Sequence, residues 1–254
     1  MPGLLWNGAA IDVPGLTILN PTDAPWCKLD PGDYCYRPKG MWLRQVIVHS
    51  TKGNHPSKVI PGKGPGGKGK IVADFWKGDP THSAAQLVID NDGTVACLCD
   101  LATTMAYHAT VSNVWSVGIE LYQESNNGIY EAVYEAAVLL IPALCNLMGI
   151  PFQGDTSPYA NAPLQRMIHG GADCVGVFGH RSNTDTRGRG DPGDEIFTRL
   201  VKHGMHGFDF AAGGDRAFWL TAQRLMNHQF NEKLAEDGIC GPLTLKAARL
   251  HNLW

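Results

Sequence analysis

Four side chains have the chemistry, and the local setting, for metal-assisted proton transfer. His49 closes the apolar run Val46–Val48. His180 follows the segment GVFG and precedes Arg181. Asp191 comes directly after the Gly/Arg stretch RGRG, where it would open a helix. All three stand at the ends of elements, where side chains converge on an open face. Two imidazoles and one carboxylate make a suitable zinc shell, with a fourth position left open to water. The three are far apart in sequence, so spacing alone does not assemble them, and a histidine taken singly is more often structural or exposed. Glu120 is the fourth. It interrupts the apolar segment SVGIELY, Ser116–Tyr122. Alternation puts Val117 and Ile119 on one face of a strand, and Gly118 and Glu120 on the other. Glu120 then reads either as a plain solvent-facing acid or as a general base beside an activated water.

These residues need elements to hold them. Arg44–His49 (RQVIVH) is a short run with β-branched residues and predicts a buried strand. Lys52–Lys70 is rich in Gly, Pro and Lys and predicts a long exposed loop, either solvated or set near an anionic polymer. Val72–Lys77 predicts a short helix. Gln86–Asp90 and Thr94–Leu98 predict a hairpin around Asn91-Asp92-Gly93. Ser116–Tyr122 predicts a strand, and Tyr130–Met148 a helix that Pro142 kinks or divides. Gly176–His180 predicts another strand. Asp191-Pro192-Gly193-Asp194-Glu195 has the form of a helix start, with a capping Asp, Pro in the first turn and acids at the positive end of the dipole.

Strands mixed with helices predict an α/β fold with a mixed central β-sheet flanked by helices. Residues 1–40, broken by Pro and Gly, read as an N-terminal arm packed on a catalytic domain over 41–205. Residues 206–214 read as a linker. Residues 215–254 read as a small helical module, with helices over Arg216–Phe230 and Leu243–His251 around the turn Asp237–Pro242. A unit of that size has little core of its own.

Composition narrows the function classes. The chain has 254 residues, 44% hydrophobic and 18% charged, enough to bury a core. A net charge of −3 argues against a nucleic-acid binder, which would show a basic domain or stripe. The start of the chain lacks a basic segment followed by an apolar run, so no export signal is expected. The longest apolar run, Ala136–Cys145, is interrupted by Pro142 and falls short of the roughly 20 residues that cross a bilayer. No membrane insertion is expected. Seven cysteines, an odd number without a CxxC pair, do not read as a disulfide framework or a Cys-rich zinc knuckle. Cys97 and Cys99 share one face of a strand and read as packing. Cys27 and Cys35 flank a Pro/Gly turn and are close enough in sequence to pair.

Longer motifs add a resemblance. VIVHST around His49, SAAQLVIDNDGTV from Ser83 to Val95, AYHATVSNVWSVGIEL from Ala106 to Leu121, and GHRSNTDTRGRGDPG from Gly179 to Gly193 occur in that order. Together they resemble the zinc-dependent N-acetylmuramoyl-L-alanine amidases, the type 2 group that shares its fold with peptidoglycan recognition proteins. The resemblance implies Zn2+ ligands at His49, His180 and Asp191, and Glu120 as catalytic acid/base. Many members carry Lys two residues before the last ligand, where this chain has Arg189. Arg keeps the charge and can hold an oxyanion, but it does not donate a proton. A Tyr that some relatives place before the hairpin is absent from Ala84-Ala85-Gln86. His108 and Asn113 fall in a segment that usually borders the substrate groove. The other seven histidines match no motif.

The last 40 residues resemble a peptidoglycan-binding helical module, through Ala222–Asn227 and DGICGPLT from Asp237 to Thr244. The implied partner is bacterial peptidoglycan, and a monomer is expected. An amidase without an export signal but with a wall-binding tail implies a phage endolysin, made in the cytoplasm and released to the wall through a membrane hole of the holin type. A cytoplasmic wall-recycling amidase, a secreted effector and a non-catalytic peptidoglycan receptor are the alternatives.

Overall fold

The computed structural model describes residues 2–39, 41–154, 175–180, 191–207, 219–220, 223–224, 226–227 and 231–250. The chain opens with strands β1 (Leu4–Trp6), β2 (Ala9–Ile11), β3 (Ile18–Leu19), β4 (Tyr34–Tyr36), β5 (Gln45–Ser50) and β6 (Lys58–Ile60). Helix α1 (Lys68–Lys77) precedes β7 (Leu87–Ile89), β8 (Val95–Cys97) and β9 (Thr104–Ala106). A 3₁₀ helix over Thr110–Trp115 leads directly into β10 (Ser116–Leu121), followed by β11 (Gly128–Tyr130) and helix α2 (Glu131–Met148). Then come β12 (Gln153–Gly154), β13 (Gly176–Gly179), helix α3 (Glu195–Lys202), β14 (His206–Gly207) and helix α4 (Pro242–Leu250).

Among the described residues the main sheet has eight strands, in the order β14-β12-β13-β5-β10-β7-β8-β3. β7 and β8 pair antiparallel and the other neighbours pair parallel, so the sheet is mixed as the sequence predicts. β5 is buried along its whole length, which explains its lack of polar alternation. Val46, Val48, Val117, Ile119, Leu121 and Val177 share one core with Val133, Ala137, Leu140, Ile141 and Leu144 of α2. That helix is long and apolar enough to cross a membrane, but here its apolar side covers the sheet. Behind the opposite face a second core gathers Val72, Ala73 and Trp76 of α1 with Ala84, Ala85, Val88, Ala96 and Leu98.

Several local expectations need correction. Helix α1 begins at Lys68, four residues before the predicted start. Its first turn has no apolar periodicity, and its cap comes from the hairpin: the Asp90 carboxylate accepts the N–H groups of Gly67 at 2.7 Å and Lys68 at 3.0 Å. The predicted 52–70 loop is also interrupted by β6, which pairs parallel with β11. Pro142 lies inside α2, which runs unbroken from Glu131 to Met148. Asp191 does not cap a helix. α3 starts at Glu195 after Asp194, and the Asp191 carboxylate turns toward the sheet instead. Of the N-terminal residues, Leu4, Val13 and Ile18 enter the α2-side core, and β3 and β4 pair with β8 and β9.

In the C-terminal part, the Gln223 side chain organises the turn before α4. Its carbonyl oxygen accepts the N–H groups of Asp237 and Gly238 at 3.1 and 2.8 Å. Its amide donates to the Ile239 carbonyl at 2.9 Å. Most of the predicted Arg216–Phe230 helix, and most of the predicted linker, lie outside the described residues.

Candidate active site

Strand register builds the site. In the parallel pair β5/β10, Glu120 lies beside His49. In the parallel pair β5/β13, Gly179 lies beside Val48, so His180 follows at the level of His49. Register neighbours in parallel strands point to the same face. His180, His49 and Glu120 therefore stand side by side at the carboxyl ends of three adjacent strands, where open α/β sheets place their ligand sites.

Asp191 completes the cluster from beyond β13. One ligand atom from each of His49, His180 and Asp191 lies within 4.8 Å of the others. The Asp191 Oδ2 to His180 Nδ1 distance is 3.0 Å, and Oδ1 to His49 Nδ1 is 3.9 Å. The Ser50 backbone N–H donates to Asp191 Oδ1 at 2.9 Å. The His49 and His180 rings are 4.3 Å apart, centroid to centroid. All three side chains are buried. Burial pushes the Asp191 carboxyl upward, but the His180 hydrogen bond, both imidazoles and the Ser50 N–H outweigh it and hold the group below its usual range. A buried, ionised carboxylate with two imidazoles is a donor set that could hold a metal ion.

His108 packs against this cluster from behind. Its Nδ1 is 3.0 Å from His49 Nε2, and its Nε2 is 3.1 Å from Ser116 Oγ. Burial pushes its imidazole well below the usual histidine range, and the fields of His180 and Arg37 act in the same direction. The ring lies on Gly118, where a Cβ would come within 2.6 Å of His108 Cγ. Glycine in this strand therefore marks a close approach. Asn113 does not line the pocket. Its side-chain oxygen accepts the backbone N–H groups of His108 at 3.0 Å and Ala109 at 2.6 Å. The buried Arg37 guanidinium, without a carboxylate partner in these bonds, donates to the carbonyls of Leu101, Asn113, Val114 and Ser116 and ties down the same segment.

The pocket over the cluster has a volume of about 150 Å³ and is lined by His49, His108, Glu120, His180 and Asp191, with Lys52, Trp76, Ser83 and Ala84 among the other walls. Ala84 stands in the irregular segment before β7, at the position where some relatives carry a tyrosine. Lys52 comes from the lysine-rich 52–70 segment, whereas Trp76 and Ser83 are additions that sequence reasoning missed. The only available signal for Trp76 was its place at i+3 and i+4 from Ala73 and Val72 on α1. Arg189 lies outside the described residues. Cys27 and Cys35 are both free thiols, so the pairing left open by sequence does not occur. Burial instead pushes the Cys27 thiol up to about 12, and it donates to the carbonyls of Leu19 and Cys97.

Two solved structures resemble the chain. A complex described as tracheal cytotoxin bound to the ectodomains of peptidoglycan recognition proteins LCa and LCx matches with 16% identity and a TM-score of 0.44, over 74% of this chain and 96% of that one. A selenomethionine derivative of AmpD matches with 18% identity and a TM-score of 0.37, over 69% of this chain and 98% of that one. No curated protein matches. The family described as N-acetylmuramoyl-L-alanine amidase matches residues 39–194, a span that contains all four strand-end and loop residues of the cluster. With more than half of its length in that match, the chain belongs to the N-acetylmuramoyl-L-alanine amidase family.

Proposed function

We propose that this chain is a zinc-dependent amidase that hydrolyses the bond between N-acetylmuramic acid and L-alanine in bacterial peptidoglycan. The observation that carries the reading is the buried His49–His180–Asp191 cluster with Glu120 in the adjoining register position. The donor set fits zinc: two imidazoles and one carboxylate are N/O ligands, and three protein ligands are the usual number at a hydrolytic zinc. A zinc ion held there would supply Lewis-acid activation of the water and the scissile carbonyl.

The protein groups supply the rest. Glu120 takes a proton from the attacking water and returns it to the leaving amine of L-alanine. Arg189 adds positive charge near the developing oxyanion, a role carried by its place in the GHR…DPG motif. Trp76 and Ala84 wall the pocket and limit water around Glu120. The biological role we favour is a monomeric, cell-wall-lytic endolysin that reaches the wall after release through a membrane hole. The helical tail raises local enzyme concentration on an insoluble polymer.

His49→Ala, assayed for bound zinc and for lysis of purified wall together, tests the reading. Loss of both is expected. Lysis at the wild-type rate without metal would overturn it. Wild-type protein that binds zinc but releases no stem peptide would point instead to a receptor. Activity on soluble muropeptides but not on intact wall would point to a recycling amidase.

A further inference from the structure

We propose that His108 is a positioning residue that fixes the tautomer of His49, presenting the Nδ1 lone pair of His49 to the metal site. This rests on the reading of the His49–His180–Asp191 cluster as a metal centre. A chain of hydrogen bonds links His49 through His108 and Ser116 to the Ser112 backbone carbonyl. Ser116 Oγ lies 2.5 Å from the Ser112 carbonyl oxygen. A carbonyl only accepts, and two oxygens this close require a proton between them, so the Ser116 hydroxyl donates to Ser112.

Ser116 has a single O–H. Its oxygen must then accept from His108, across the 3.1 Å contact to Nε2. His108 accordingly carries its ring proton on Nε2. The ring is buried and its two nitrogens face a hydroxyl and an imidazole rather than a carboxylate, so it carries one proton and Nδ1 is a bare acceptor. The 3.0 Å contact from Nδ1 to His49 Nε2 is therefore a bond donated by His49. His49 holds its proton on Nε2, and its Nδ1 lone pair faces the Asp191 carboxylate and the His180 ring. One fixed carbonyl thus sets the direction of three successive hydrogen bonds, and the last sets the protonation pattern of a ligand.

The surroundings hold His108 in this task. Gly118 leaves room for the ring, and the Gln86 side-chain oxygen accepts the Gly118 N–H at 2.7 Å. Asn113 pins the His108 backbone. Both His108 ring nitrogens are engaged within the protein, so neither is offered to a glycan or a peptide in the pocket.

The test begins with the metal-free wild-type protein. Long-range 15N–1H NMR of labelled histidines should show the Nε2–H tautomer at both His108 and His49. A His49 proton on Nδ1 would overturn the proposal. Chelator competition should then show zinc binding weakened roughly 10- to 100-fold in His108→Leu. His108→Asn, which keeps an acceptor near the former Nδ1 position, should recover most of the affinity. A folded His108→Leu variant that binds zinc as tightly as wild type would also overturn it. The two readings can fail separately. Wild-type protein that takes up no zinc would sink the metal-centre reading, while the metal-free spectrum would still decide the tautomer.

Discussion

The two faces of β5 and β10 are built from the same strands but obey different rules. On the α2 side, Val46, Val48, Val117, Ile119 and Leu121 are fully buried among aliphatic side chains. Nothing there depends on the direction of a hydrogen bond, and volume is what matters. One residue along, on the other face, stand His49, Gly118 and Glu120. Here volume is set by a single close contact, His108 on Gly118, and the rest depends on which atom donates and which accepts. The lesson is that stability and chemistry are separated by the period-two alternation of a strand rather than by distance. Residues separated by a rise of only about 3.3 Å along the strand axis can therefore be changed with opposite outcomes.

The separation can be tested by substitution. The largest effect is expected on the site face. Glu120→Gln keeps size and hydrogen-bonding capacity but removes the proton acceptor, and wall hydrolysis should fall by roughly 10²- to 10⁴-fold. Zinc content and melting temperature should stay at wild-type values, and a matching loss of zinc would show that Glu120 supports the metal instead. Next comes the opposite face. Ile119→Ala should cost about 2–5 kcal/mol of stability by leaving a cavity under α2. Urea denaturation measures the loss, and turnover by the remaining folded protein should be unchanged. A large change in turnover at full folding would show that the faces are coupled.

The smallest effect is expected where α3 is tied to α2. Arg199 grips the Glu131 carboxylate with both terminal nitrogens, bonds Glu195 at 2.7 Å, and lies 4.7 Å above the Tyr134 ring. The pair is partly exposed, so Arg199→Ala should cost only about 1 kcal/mol. The Arg199 hydrogen bond holds the Glu131 carboxyl below its ordinary range. A carboxyl depressed on folding contributes stability that is present above its unfolded pKa of about 4.3 and lost as pH falls through the folded value. The gap between wild type and Arg199→Ala in thermal melts should thus narrow below about pH 4.

Where the sequence was legible, the signal was local. The alternation in SVGIELY placed Glu120 opposite Ile119, and the Asn91-Asp92-Gly93 turn gave the β7–β8 hairpin, with Gly93 at φ 87°. His49 and His180 were recognisable as strand-end residues because the apolar runs before them stop abruptly. What was not legible depended on distant partners. The start of α1 is capped by Asp90, more than twenty residues away. The β6–β11 pairing joins two three-residue segments with no periodicity of their own. Asp191 was found by position but assigned the wrong local task, because a carboxylate ahead of a helix looks the same whether it caps that helix or turns into a site. The His49–His108–Ser116 chain was hidden for a further reason: hydrogen-bond direction is a property of neighbouring strands and turns brought together in space.

One strand of only two residues has a practical consequence. β3 lies against the outer side of β8, with Ile18 beside Val95 and Leu19 beside Ala96, and the Val95 N–H bonds the Thr17 carbonyl at 2.9 Å. A fragment trimmed to the family-matched span begins at residue 39 and forfeits this cover. Its sheet would then offer an open backbone rim flanked by apolar side chains, a template on which a second molecule can dock strand to strand. Such a truncation would keep His49, Glu120, His180 and Asp191 and still fail in solution, by self-association rather than by loss of the site.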